Sequence, residues 1–177
     1  MESRAAVSLL QRLFKPEPDP REALRPLWHR VVELSREPAF YRDDGVADTV
    51  AGRFDMIAAI LALVMLRLER DDLDRQTVLL TELFVADMDS QLRETGVGDM
   101  VVGKHMGKLM AVLGGRLGAF RDALASGDDA AFEAALERNV TMLDGHGTAS
   151  LTRRLRSFAD KLAHLDDQAV LTGSIEL

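Results

Sequence analysis

Asp87–Lys108, DMDSQLRETGVGDMVVGKHMGK, reads as the end of one helix, a tight Gly-Val-Gly-Asp turn and the start of a second, longer helix. Gly96 follows the last polar helical residues and suits the left-handed position just past a helix end. With Gly96 there, Val97 and Leu92 fall at the two places whose side chains touch in a Schellman ending. Asp99 is a good N-cap for a helix beginning at Met100, with Gly98 free to adjust between the two caps. The stretch predicts a helical hairpin.

Working outward, the same helical period continues on both sides. Downstream, Val102, Met106, Leu109, Leu113, Leu117, Phe120 and Leu124 form one apolar stripe over Met100–Ala125. Asp129–Leu143 follows as a helix with Phe132, Leu136, Val140 and Leu143 inward. Thr148 caps a last helix carrying Leu151, Leu155, Phe158 and Leu162. Upstream, a helix from about Arg75 to Thr95 turns Val78, Leu79, Leu83, Leu92 and either Val85 or Ala86 inward. Before it, Asp48 or Thr49 caps a helix reaching about Arg70. That helix holds the apolar run Met56–Leu66, MIAAILALVML. The run is too short to span a bilayer, which takes about 20 residues, so it belongs in the middle of a bundle.

Arg21–Glu37 is helical with Leu24, Leu27, Trp28, Val31 and Leu34 on one stripe, and Pro26 kinks or starts it. Trp28 reads as a core anchor. Pro38 ends this helix, leaving Phe40 and Tyr41 in a loop or short turn. Ser3–Phe14 is a short amphipathic, mostly basic helix joined by the extended linker KPEPDP, Lys15–Pro20. Nothing alternates with period two, so no strand is expected. The fold class is all-α, one compact bundle of six or seven helices. Its expected divisions are 1–20 for the helix and linker, 21–165 for the helical domain, and 166–177 for a weakly patterned tail.

Composition narrows the function. The 177 residues suffice for a sizeable core, and the net charge of −7 argues against a general nucleic-acid binder. The absence of cysteine removes disulfides and thiol chemistry and fits a reducing compartment. Asp87 and Asp89 point about 200° apart on a helix and are badly placed to chelate one ion. Asp89 with Arg93 is instead a favourable i, i+4 ion pair. The four histidines are scattered, with no HExxH spacing, and no P-loop, nucleophile elbow or dinucleotide fingerprint occurs. The expectation is no catalysis and no cofactor or metal.

The helix after the turn carries two ridges. Gly103, Gly107, Ala111, Gly115, Ala119 and Ala123 recur every fourth residue as nearly bare backbone. Glycine costs about 1 kcal/mol per site against alanine in a helix interior, so a close approach is implied, by a neighbouring helix of the same domain or by a partner's helix. Lys104, Lys108, Val112 and Arg116 run alongside and predict a positive border to that smooth surface.

These residues resemble the ubiquinol–cytochrome c chaperone family. The resemblance rests on Leu27-Trp28, on REPAFYRDDGVADTVAGRFDM (Arg36–Met56), on FVADMDSQLRETGVGDMVVGKHMGKLM (Phe84–Met110) and on GRLGAFRDAL (Gly115–Leu124). It covers roughly Leu27 to Leu143. The chain departs from the family's AFYGR-like segment, having VLGGR at Val112–Arg116, with Leu113-Gly114 in place of the Phe-Tyr pair.

The resemblance implies an all-helical, non-enzymatic assembly chaperone for respiratory complex III, in a compact bacterial form, that binds newly made cytochrome b. Its expected place is the cytoplasm, with peripheral contact at the inner membrane. Asp89, Arg93, Gly96, Gly98, Asp99, Lys104, Lys108 and Arg116 are the candidate partner-binding residues. Arg93 and Asp99 would fix the turn, while Lys104, Lys108 and Arg116 would offer charge to a client loop. The competing expectation is a soluble or membrane-surface helical adaptor or oligomerisation protein that uses Ser3–Phe14.

Overall fold

The computed structural model describes residues 19–94 and 99–177, and side chains outside 92–106. The Ser3–Phe14 helix, most of the proline linker, and Gly96 and Gly98 of the turn lie outside the described residues. So do the side chains of Arg93, Asp99 and Lys104.

A 3-10 turn, Pro20–Leu24, leads into α1, Arg25–Ser35, with Pro26 in its first turn, where no helical N–H is lost. There follow α2, Pro38–Arg42; α3, Val50–Arg70; α4, Asp74–Glu94; α5, Asp99–Ser126; α6, Asp129–Asn139; α7, Ala149–His164; and α8, Asp167–Leu171. Among the described residues there is no strand, only an isolated antiparallel bridge between Val46 and Met142. The bundle is all-α.

The centre is α3. Thr49 starts it from extended backbone, its hydroxyl accepting the Gly52 N–H at 3.2 Å. Every residue from Met56 to Met65 is buried. Ten consecutive residues cover every face of a helix, so neighbours must close it on all sides. α1, α4, α5 and α7 do so. Trp28 of α1 meets Phe84 of α4 edge-on, with ring centroids 6.0 Å apart. Phe120 of α5 meets Phe132 of α6 in the same manner at 5.2 Å.

Four local expectations change. Pro38–Arg42 is a short helix rather than a loop, with Pro38 at its start and Phe40 fully buried. α4 turns Leu80, Leu83, Phe84 and Met88 inward and leaves Val78 56% exposed. Its apolar residues run together, 78–80 and 83–86, so several registers satisfy the helical period and packing on α3 selects one. α6 stops at Asn139 instead of Leu143. There the chain goes extended: Thr141 O accepts from the Ala47 N–H at 2.9 Å, and the Leu143 N–H donates to Gly45 O at 2.8 Å. Leu143 is consequently exposed. The residues after Asp166, weakly patterned in sequence, form α8 and bury Val170 and Ile175.

Two buried arginines tie α3 to segments far along the chain. Arg67 donates to Leu162 O and Leu165 O at 2.9 and 2.7 Å, satisfying the carbonyl end of α7, and pairs with Asp71 and Asp167. Arg116 of α5 is 1% exposed. Its Nη2 contacts Asp55 Oδ1 at 2.8 Å and also donates to Asn139 O at the end of α6. Asp55 Oδ2 in turn accepts from the Thr141 N–H and hydroxyl at 3.0 and 2.7 Å. Burial pushes the Arg116 guanidinium below its ordinary value, and Asp55 opposes that shift. The expectation that Arg116 offers charge to a client is therefore corrected: its charge is spent inside the bundle.

Arg116→Ala leaves half-buried Asp55 without its counter-charge and empties a core position, and should cost about 3 kcal/mol in urea unfolding. Asp55→Ala added to it should cost much less than the sum of the two single changes. Gly52→Ala places a Cβ 2.0 Å from Ala47 O, against backbone that cannot yield cheaply. It should cost at least about 1–3 kcal/mol in the same measurement.

Candidate docking face

The glycine ridge of α5 turns as it runs. Steps of four residues advance about 40° beyond a full turn, so a ridge of that spacing winds around its helix. Gly107, Ala111 and Gly115 are exposed, Ala119 is half-buried and Ala123 is buried. The lysine ridge winds in the same way: Lys108 is exposed, Val112 half-buried and Arg116 buried. The two ridges are thus no straight border to a single face.

What faces outward along α5 alternates steps of four and three: Gly107, Ala111, Gly114 and Gly118, with only Gly118 half-buried. A Cβ placed on Gly107, Gly114, Gly115 or Gly118 would meet nothing within 4 Å. No neighbour in the described bundle accounts for these glycines. Met110, 37% exposed, stands at the edge of this spine.

Close by lies a groove of about 670 Å³ between the start of α3, the end of α4 and α5. Val50, Phe54 and Ile57 of α3, Met88 of α4 and Leu109 of α5 line it. Val50 is 89% exposed. Gln91, Arg36 and Arg53 supply the polar rim. Arg53 donates to Asp48 at 2.6 Å, which holds the Asp48 carboxyl below its usual range and raises the arginine. Sequence reasoning missed this groove. A signal for it existed: Val50, Phe54 and Ile57 stand at i, i+4, i+7, an apolar stripe that starts one residue after the Thr49 cap, ahead of the buried run. What the period cannot show is whether the first turn is covered.

The three predicted residues with described side chains stand apart from one another. Asp89 sits half-buried on α4, in a shallow recess with Arg21, Glu82 and Val85. Lys108 is on the surface of α5 and Arg116 is in the core. The remaining predicted residues have no described side chain. Among the described residues no cluster of three or more His, Asp or Glu is placed to hold a metal. Among the same residues, no helix is long and apolar enough to cross a membrane.

Comparison with curated proteins gives no match. The family model described as ubiquinol-cytochrome C chaperone matches residues 42–177. That range holds every helix from α3 onward, and so both the spine and most of the groove. In three dimensions the chain is similar to the crystal structure of the Cbp3 homolog from Brucella abortus, with a TM-score of 0.75 and 29% sequence identity. The similarity covers 97% of this chain and 95% of that one. From its middle block of sequence to its last helix, the chain belongs to the ubiquinol–cytochrome c chaperone family.

Proposed function

We propose that this protein is a non-enzymatic assembly chaperone that holds newly made cytochrome b until it enters ubiquinol–cytochrome c reductase. The observation that carries the reading is the apolar groove beside a solvent-facing spine of bare backbone. An apolar face such as Val50 and Phe54 is a place to put something apolar. The glycines add to this. Each costs the helix about 1 kcal/mol against alanine and contacts nothing in the described bundle. A partner's helix laid across them approaches closer than side chains would allow, as small-residue faces permit between membrane helices. The groove's apolar side chains, two guanidiniums and one amide form a set for holding rather than reacting.

The working place in this reading is the cytoplasmic face of the inner membrane, where a hydrophobic subunit emerges. Of the candidate residues, Asp89 and Lys108 are the two with described side chains outside the core; Lys108 is exposed on α5 beside Leu109 of the groove, and Asp89 lies in a separate recess with Arg21 and Glu82. Gly96, Gly98, Arg93, Asp99 and Lys104 are retained in the proposal as the turn and the start of α5 that set where the spine begins.

Loss of the protein should sharply lower assembled complex III and cytochrome b, read by haem spectra of membranes. Normal levels in a deletion strain defeat the reading. Phe54→Asp in a protein that still melts cooperatively should reduce co-purified cytochrome b by roughly tenfold or more, since a charge enters the groove. Gly114→Ala should move two measurements in opposite directions. Stability rises by up to about 1 kcal/mol, because alanine is the better helix former in open space, while cytochrome b recovery falls.

A further inference from the structure

We infer that the groove takes an apolar helical segment carrying a carboxylate, and that Arg36 receives that carboxylate at the groove's mouth. The inference rests on the reading of the groove as the client site and adds the chemistry of what enters it.

Three recesses meet at Arg36. It lines the apolar groove, a larger groove between α1 and α4, and a small recess beside Tyr41 and Arg42. Arg36 is exposed and has no ion pair or side-chain hydrogen bond among the described residues; only its backbone N–H is used, closing the end of α1. Arg53, at the same mouth, is already committed to Asp48 at 2.6 Å. Arg42 adds a third guanidinium in the adjoining small recess, where three positive groups meet one carboxylate, Asp48. Glu33, Glu37 and Asp87 lie on the adjoining α1–α4 groove, Glu33 paired with Arg30. On a chain of net charge −7, this is a locally positive spot opening onto an apolar wall.

The form of the occupant follows from the lining. Peptide N–H and C=O groups brought against Val50, Phe54, Ile57, Met88 and Leu109 find no partners there, so the entering backbone must satisfy its own hydrogen bonds. A helix does this, and its i, i+4, i+7 anchors match the same spacing of Val50, Phe54 and Ile57 across the groove. The charge follows from Arg36. Covering the groove removes water from around an unpaired guanidinium, and a bidentate carboxylate is the group that compensates it best. A lysine on the entering helix would instead meet like charge.

Two soluble amphipathic helical peptides, identical except for Glu or Lys at one end of the apolar face, test this by fluorescence anisotropy with the full chain. The Glu peptide should bind roughly fivefold or more tightly than the Lys peptide. Arg36→Glu should reverse that order and Arg36→Gln should erase it. Phe54→Asp should weaken both peptides. Arg36 is exposed, so its variants should keep the wild-type melting curve. Equal binding of both peptides to wild type and to Arg36→Glu overturns the charge assignment while leaving the client reading intact. Binding of neither peptide by a protein that still co-purifies cytochrome b overturns the helix-in-groove assignment. A wild-type dimer in sedimentation that Val50→Asp dissolves gives the groove to a second copy of the chain and also overturns it. Absence of cytochrome b from the co-purification fails the underlying reading separately.

Discussion

Everything in this bundle answers to the burial of α3. From Met56 to Met65 every residue is buried, so the helix has no polar face on which to rest. A buried Leu, Ile, Val or Met is worth about 1.5–3 kcal/mol relative to exposure, and that gain is realised only if other helices close around it. Ala58, Ala59 and Ala62 keep parts of its circumference narrow, so neighbours approach closely. The amphipathic faces of α1, α4, α5 and α7 are the complements: each spends its one apolar stripe on the same axis.

A hydrophobic axis does not by itself say how the surrounding helices should stand. The two buried guanidiniums supply that information. Asp55, near the start of α3, reaches Arg116 in α5 and Thr141 beyond α6. Arg67, near the end of α3, reaches the carbonyl end of α7 and Asp167 of α8. Buried ion pairs often contribute little net stability against an apolar replacement, but a broken one is costly. Wrong arrangements of the later helices leave a charge buried alone. These links join residues 61 to 100 positions apart.

The docking face is where local rules are broken. Solvent-facing glycines weaken α5, and Val50 leaves its side chain in water at the head of the most buried helix. Val50 stands at the start of α3, and the glycines from 107 to 118 run through the middle of α5, on the stretch that Arg116 ties to Asp55 in the second turn of α3. Elsewhere the exceptions stand singly, as at exposed Val78 and Leu143 and at Thr148, which starts α7 without a side-chain cap bond. A concentration of local costs in one region, on an otherwise consistent chain, is the pattern expected of a surface built to be covered.

The sequence alone determined that the chain is helical, where most helices start, and which helix is central. Those properties are local: Thr49 caps with its own hydroxyl, Pro26 starts a helix, and an eleven-residue apolar run between charged flanks must be buried. The family, too, was legible in short blocks of residues. The tertiary structure decided what faced where. Leu80, Leu83, Phe84 and Met88 won over Val78 because α3 admits one register of α4. Arg116 passed from surface to core because a four-residue ridge winds about 40° per step and its partner Asp55 is 61 positions away. The groove needs α3, α4 and α5 side by side before it exists. A periodic pattern specifies which side chains share a face, and only packing specifies which faces are left open.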